Sequence, residues 1–160
     1  MSVTVRPTPT SGVLPVMAKV SASSSLTISA APDKVLAALS DYETVRPRIL
    51  PEQYRDFAVV EGGQGDGTVA RWVLQATEKR SRNVLATVSV SGATITEKDA
   101  NSSMVTTYLV SPSGSGSSVT TTTEWTGAGG VGGFFEKTFA PLGLKKIQAQ
   151  LLQNLSRQVE

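Results

Sequence analysis

The sequence predicts an α+β fold, with a curved antiparallel sheet of about six or seven strands wrapped around one long C-terminal helix. Three observations carry this prediction. Period-two patterning recurs between residues 55 and 126, with turn signals roughly every 10–15 residues and no helix between them. Ahead of that run only one segment of any length, opening at Pro32, has helical spacing. Behind it, Leu144 to Val159 is a continuous stretch of helix-forming residues. With 160 residues, 39% hydrophobic and 18% charged, the chain is long and apolar enough to bury one core.

Each element follows from its own residues. Met1 to Val16 holds Pro7, Pro9 and Pro15 without a period, so residues 1–17 are expected to form a flexible N-terminal extension to a single domain at 18–160. Met17, just before the patterning begins, is a candidate physiological start. From Ala18 to Ser29, Val20, Ala22, Ser24, Leu26 and Ile28 alternate as one face of a serine-rich edge strand. Pro32 and Asp33 then open a helix, with Val35, Leu36, Leu39 and Tyr42 as its apolar stripe. Pro47 and Pro51 leave room for at most one further helical turn. Strands are expected at Arg55–Glu61, Thr68–Ala76, Val84–Val90, Gly92–Thr96, Met104–Val110 and Val119–Thr126. Gly62–Gly67 reads as a turn, Glu78–Asn83 as a charged hairpin tip and Ser111–Gly116 as a flexible loop. Gly127–Gly133 is a hinge. After it, Phe135, Phe139, Leu142, Leu144, Ile147, Leu151 and Leu155 recur at helical spacing, with a kink expected at Pro141. A sheet with one apolar face needs a cover, and only this last helix is long enough to supply it.

Composition removes several chemistries. The chain has no Cys and no His, so thiolate and Ser-His-Asp catalysis, disulfides and His- or Cys-ligated metals are excluded; no metal and no cofactor is expected. Fifteen basic against thirteen acidic residues are too evenly matched to argue for nucleic acid as a partner. No apolar run approaches the ~18 residues of a membrane span. Val13 to Ala18 is shorter than the roughly 7–15 apolar residues of a secretory signal, so a cytoplasmic location is expected.

The segment Ser25-Leu26-Thr27-Ile28-Ser29-Ala30-Ala31-Pro32-Asp33-Lys34-Val35, followed by Leu39-Ser40-Asp41, resembles the entry to the first helix in the helix-grip superfamily. That superfamily includes START domains, aromatic polyketide cyclase/dehydrases and plant pollen-allergen-type proteins. The resemblance covers residues 18–160 and implies a hydrophobic cavity beneath the C-terminal helix, used for lipids, polyketides or similar ligands. It supplies no catalytic motif, and fold alone does not give function.

Candidate chemistry is sparse. Gly127-Ala128-Gly129-Gly130-Val131-Gly132 spells a dinucleotide-binding fingerprint, but no strand follows to complete a βαβ unit and no acidic residue is placed for the ribose. Asp56, Glu61, Asp66, Glu78, Glu97 and Asp99 read as solvated charges beside turns. Parity sets Trp72 and Trp125 inside, with Arg71 and Glu124 outside; the reversed parity would carry that charged pair inward instead. Arg46 and Arg48 stand near the expected cavity mouth, where they suit an acidic head group, whereas Lys79, Arg80 and Arg82 form a solvated tip. The expected ligand-binding residues are Trp72, Tyr108, Thr123, Trp125, Phe135, Phe139 and Leu142, with Thr121 beside them. No residue is singled out as catalytic. The leading expectation is binding, for transport or sensing, of a small hydrophobic ligand. The alternative is a polyketide cyclase/dehydratase-like enzyme acting in the same cavity, and a third is a filled interior with a partner-binding surface.

Overall fold

The computed structural model describes residues 19–77, 80–126 and 141–160. Strand β1 (Lys19–Ile28) leads to helices α1 (Pro32–Ser40) and α2 (Arg46–Ile49). Six strands follow: β2 (Tyr54–Glu61), β3 (Val69–Thr77), β4 (Arg80–Ser91), β5 (Thr94–Asp99), β6 (Val105–Ser113) and β7 (Gly116–Thr126). Helix α3 (Pro141–Val159) closes the chain. The seven strands form one curved antiparallel sheet, as the patterning predicts, and its order is β1-β7-β6-β5-β4-β3-β2.

Side-chain parity divides the sheet into two unlike faces. Ala22 and Ile28 of β1, Ala70, Trp72 and Leu74 of β3, Val84, Ala86 and Val88 of β4, Tyr108 and Val110 of β6, and Val119 and Trp125 of β7 are all buried. The opposite face carries hydroxyls. Ser23, Thr122, Thr107, Thr96 and Ser89 fall in register across five neighbouring strands, and Ser23 Oγ and Thr122 Oγ1 lie 3.0 Å apart. Glu124 stays on this outer side, 3.7 Å from Lys19, and Arg71 is exposed, so the inward placement of both tryptophans holds.

Helix α3 lays Leu144, Ile147, Leu151, Leu152, Leu155 and Val159 against the buried face. Gln148 is buried with them because β1 gives it partners: its Nε2 donates to the Ala22 carbonyl at 3.1 Å, and its Oε1 accepts from Ser24 Oγ at 3.1 Å. Asn154 Nδ2 donates to the Ile49 carbonyl at 3.0 Å, which ties α3 to α2. From Pro141 onward the helix is unbroken; the hinge, the junction that would kink at Pro141, and Phe135 and Phe139 lie outside the described residues, as does the N-terminal extension.

Two local expectations are corrected and a third is extended. Ser111–Gly116 is not a flexible loop: β6 runs to Ser113 and β7 starts at Gly116, so only Gly114 and Ser115 turn, with Gly114 at φ 56°. Arg80 and Arg82 belong to β4, not to a hairpin tip, because the β3–β4 ladder continues to Thr77 opposite Arg80. Gly62–Gly67 is more than a turn. The Tyr42 N–H donates to the Gly63 carbonyl at 2.9 Å and the Gly65 N–H to the Ser40 carbonyl at 2.8 Å, so the loop docks on the α1–α2 connection. At Gly63, φ is 135° and a Cβ would meet the Glu43 side chain, so glycine is required there.

Candidate functional site

The site is built where α1 gives way to α2. Asp41 ends α1, and its Oδ1 accepts from the Thr44 N–H at 2.9 Å and the Glu43 N–H at 3.1 Å, which folds the chain back on itself. These bonds, the one from Thr44 foremost, hold the Asp41 carboxyl below its ordinary range against a small cost of burial, with Gln64 adding to them. The turn delivers Tyr42 and Arg46 to the covered face of the sheet, where they are 0% and 2% exposed.

A fully buried arginine demands a partner, and β5 provides it. Arg46 Nη1 lies 2.7 Å from Glu97 Oε2, the Tyr42 hydroxyl donates to the same oxygen at 2.5 Å, and Arg46 Nε donates to the Leu39 carbonyl at 2.9 Å. The guanidinium is sandwiched between two rings, 4.3 Å from the centroid of Tyr42 and 4.6 Å from that of Tyr108. Burial by itself would lower the arginine's pKa, but Tyr42, Glu97 and Tyr108 more than reverse that, and Arg46 stays charged. The Tyr108 hydroxyl is pushed up by burial, then by the Glu97 charge, and Tyr42 is raised for the same first reason. Both phenols are therefore hydrogen-bond donors across the ordinary pH range.

The cluster is incomplete. Arg46 Nη2, Thr121 Oγ1 and Trp72 Nε1 are buried and have no hydrogen-bond partner among the described residues. Tyr108 and Thr121 face each other across β6 and β7, and the Tyr108 hydroxyl lies within hydrogen-bonding reach of the Arg46 and Thr121 side chains, both of which hold its pKa down against the larger effect of burial. It completes no hydrogen bond of good geometry with Arg46 Nη2 or with Thr121 Oγ1.

The sequence-derived candidates are distributed as follows. Trp72 packs against Tyr54 and Phe57, with ring centroids 5.7 and 6.1 Å away. Tyr108 belongs to the arginine cluster. Thr123 is buried, its hydroxyl 2.8 Å from Thr106 Oγ1 and 3.3 Å from Gln148 Nε2, and Trp125 is 1% exposed. Leu142 is 70% exposed at the head of α3 and is not brought to the others. Three charges are corrected: Glu97 and Asp99 are not solvated but 6% exposed, and Arg46 is interior, whereas Arg48 is exposed. Asp99 is occupied by the turn after β5, accepting from the N–H groups of Leu85 and Asn101 and from Ser102 Oγ. A readable signal for Glu97 is its parity with Ile95, which is 0% exposed.

Two open hollows also mark the surface. One, of about 480 Å³, lies between Leu50–Gln53 and the Lys146, Gln150 and Asn154 side of α3. The other, of about 350 Å³, lies among Asp56, Arg71, Trp72, Asn83 and Asn101. Neither includes Arg46, Tyr108 or Thr121.

Solved structures place this fold among relatives. The solution structure of the KanY protein is 61% identical, with a TM-score of 0.83, covering 89% of this chain and 99% of its own. The TTHA0849 protein of Thermus thermophilus is 19% identical at a TM-score of 0.68, covering 88% and 97%. Norcoclaurine synthase from Thalictrum flavum is 15% identical at 0.67, covering 89% and 94%. These last two show the shared fold alone. No curated protein matches the chain. The family model described as polyketide cyclase / dehydrase and lipid transport matches residues 17–160, and the chain belongs to that family.

Proposed function

We propose that the domain at 18–160 binds a small hydrophobic molecule, such as a lipid or polyketide, between the sheet and α3, in order to carry or sense it in the cytoplasm. The observation that carries this reading is the set of buried polar atoms without a well-formed hydrogen bond on the covered face of the sheet. An interior filled only by its own side chains leaves few such atoms, and here Arg46 Nη2, Thr121 Oγ1 and Trp72 Nε1 share one side of one sheet. The family description supports the same reading, since it includes lipid transport. In this proposal Trp72, Tyr108, Thr123 and Trp125 line the ligand, with Phe135 and Phe139, which lie outside the described residues, as further candidates. No helix among the described residues is long and apolar enough to cross a membrane, and the partner is a small molecule, not a nucleic acid.

Both tryptophans of the chain are buried on the covered face, so intrinsic fluorescence is a direct reporter. Titration with alkanones, fatty acids and flat aromatic ketones is expected to give a saturable emission change at micromolar concentration for at least one class. A Kd near 1 μM corresponds to about −8 kcal/mol. Burying roughly 300 Å² of apolar ligand surface supplies about 7.5 kcal/mol before entropic costs. No emission change with any of the three classes overturns the proposal.

A second reading, a cyclase or dehydratase acting on the same ligand, is favoured by one observation: a phenol held protonated, Tyr108, stands beside a charged arginine. That pairing suits polarisation of a carbonyl. Loss of water from a bound poly-β-ketone, followed by mass spectrometry, distinguishes turnover from carriage.

A further inference from the structure

The hollow of about 350 Å³ beside β3 and β4 holds two opposite charges that do not meet. Its walls include Asp56, Arg71, Val73, Asn83, Leu85 and Asn101. Arg71 pairs with Leu85 and Val73 with Asn83, and all four have the parity opposite to buried Trp72 and Val84. The hollow therefore opens on the outer face of the sheet, away from α3.

Asp56 reaches it through a bulge. Arg55 lies opposite Val73 and Ala58 opposite Arg71, so Asp56 and Phe57 together face the single residue Trp72. Strict alternation from Tyr54 would turn residue 56 towards the core. Instead Asp56 takes φ 55°, a left-handed conformation that aspartate tolerates better than most residues. Phe57 takes the inward place, stacked 6.1 Å from Trp72, and the carboxylate is left on the exposed side. Neither the Asp56 carboxylate nor the Arg71 guanidinium has a hydrogen bond or ion pair among the described residues, although both line one hollow. The amide wall is held in place: Asn101 Nδ2 donates to the Asn83 carbonyl at 3.0 Å, and Arg82 Nη2 to the Asn101 carbonyl at 2.8 Å. Half-buried Val73 and Leu85 add apolar surface. A simple anion at Arg71 would meet Asp56 as a like charge, and a simple cation at Asp56 would meet Arg71. A zwitterion answers both at once.

We propose that this hollow binds a small zwitterion with an apolar tail, of the kind a free aliphatic α-amino acid presents. Its ammonium rests on Asp56, its carboxylate on Arg71 and its side chain on Val73 and Leu85. The site is separate from the space between the sheet and α3, and it stands independently of the ligand proposed there.

The test is NMR titration of the isotope-labelled full chain with L-leucine, with 4-methylpentanoate, which lacks the ammonium, and with 3-methylbutylamine, which lacks the carboxylate. Leucine is expected to shift the amide resonances of Asp56, Arg71, Asn83, Leu85 and Asn101, saturating with a Kd of about 1 mM. Each analogue is expected to bind about fivefold more weakly, the scale of one solvent-accessible ion pair. In Asp56→Asn, which keeps a side chain suited to the left-handed backbone, leucine's advantage over 4-methylpentanoate is expected to vanish. In Arg71→Gln its advantage over 3-methylbutylamine is expected to vanish. Binding of 4-methylpentanoate as tight as that of leucine overturns the inference and leaves Arg71 as a plain anion contact. Shifts centred on Tyr108 and Thr123 also overturn it, since leucine would then occupy the interior. The absence of any shift with leucine overturns it outright.

Discussion

At the scale of single residues, the unusual concentration is of phenols that hold their protons, Tyr42 and Tyr108 buried and Tyr54 half-buried. All three tyrosines of the chain, Tyr42, Tyr54 and Tyr108, have their hydroxyls pushed up, in each case first by burial and further by the negative charge of Glu97. A phenol whose folded pKa lies above its unfolded value near 10 stabilises the fold fully below that value. The stabilisation is lost as pH rises towards the folded pKa. Native protein is therefore expected to show almost no phenolate absorbance at 295 nm at pH 10.5, whereas protein in denaturant titrates near pH 10. Three phenolates appearing near pH 10 in folded protein would contradict this burial. The cluster itself is only partly legible in the sequence. Tyr108 stands out by its place in a strand. Arg46 and Glu97 lie 51 positions apart on elements of different type, and no local pattern reports that they meet. A charge within a strand defaults to the solvent side, and only the shared parity with Ile95 opposes that default.

At the scale of elements, patterning is reliable wherever one face meets solvent and the other meets the core. Helix α3 shows this, because its apolar spacing identifies Leu151 and Leu155, which are 2% and 0% exposed. Leu151→Ala is expected to cost about 2–5 kcal/mol in chemical denaturation. Gln150→Ala and Gln153→Ala, at exposed positions, are each expected to cost less than ~0.5 kcal/mol. Equal losses at the two sets would contradict the amphipathic docking of α3. Buried Gln148 is not legible, because its partners, the Ala22 carbonyl and Ser24, are more than 120 positions away. The β6–β7 turn misleads for a different reason. Ser111-Pro112-Ser113-Gly114-Ser115-Gly116 has the composition of a loop, yet Pro112 is accommodated opposite Ser117 and one positive-φ glycine suffices to reverse the chain.

At the scale of the whole molecule, the order of elements determines the architecture, because six consecutive strands without intervening helices can pair only as an antiparallel run and need one cover. Since the first described strand begins at Lys19 and the family match begins at residue 17, a chain starting at Met17 is expected to keep its thermal midpoint within about 2 °C of the full chain's. A fall of about ten degrees would show that residues 1–16 pack on the domain.

The pairing of β1 with β7 has a consequence for how the protein is made. Ser23 meets Thr122, 99 positions later, so the first described strand to leave the ribosome waits for its neighbour until nearly the last. At roughly 5–20 residues per second, that wait lasts on the order of 5–20 s. A hydrophobic strand left open so long would invite pairing with another nascent chain. Strand β1 spends the interval as Lys-Val-Ser-Ala-Ser-Ser-Ser-Leu-Thr-Ile, with hydroxyls at half its positions, and only when β7 emerges do Ser23 and Ser25 find Thr122 and Thr120. The serine-rich edge thus serves the unfinished chain as well as the finished one.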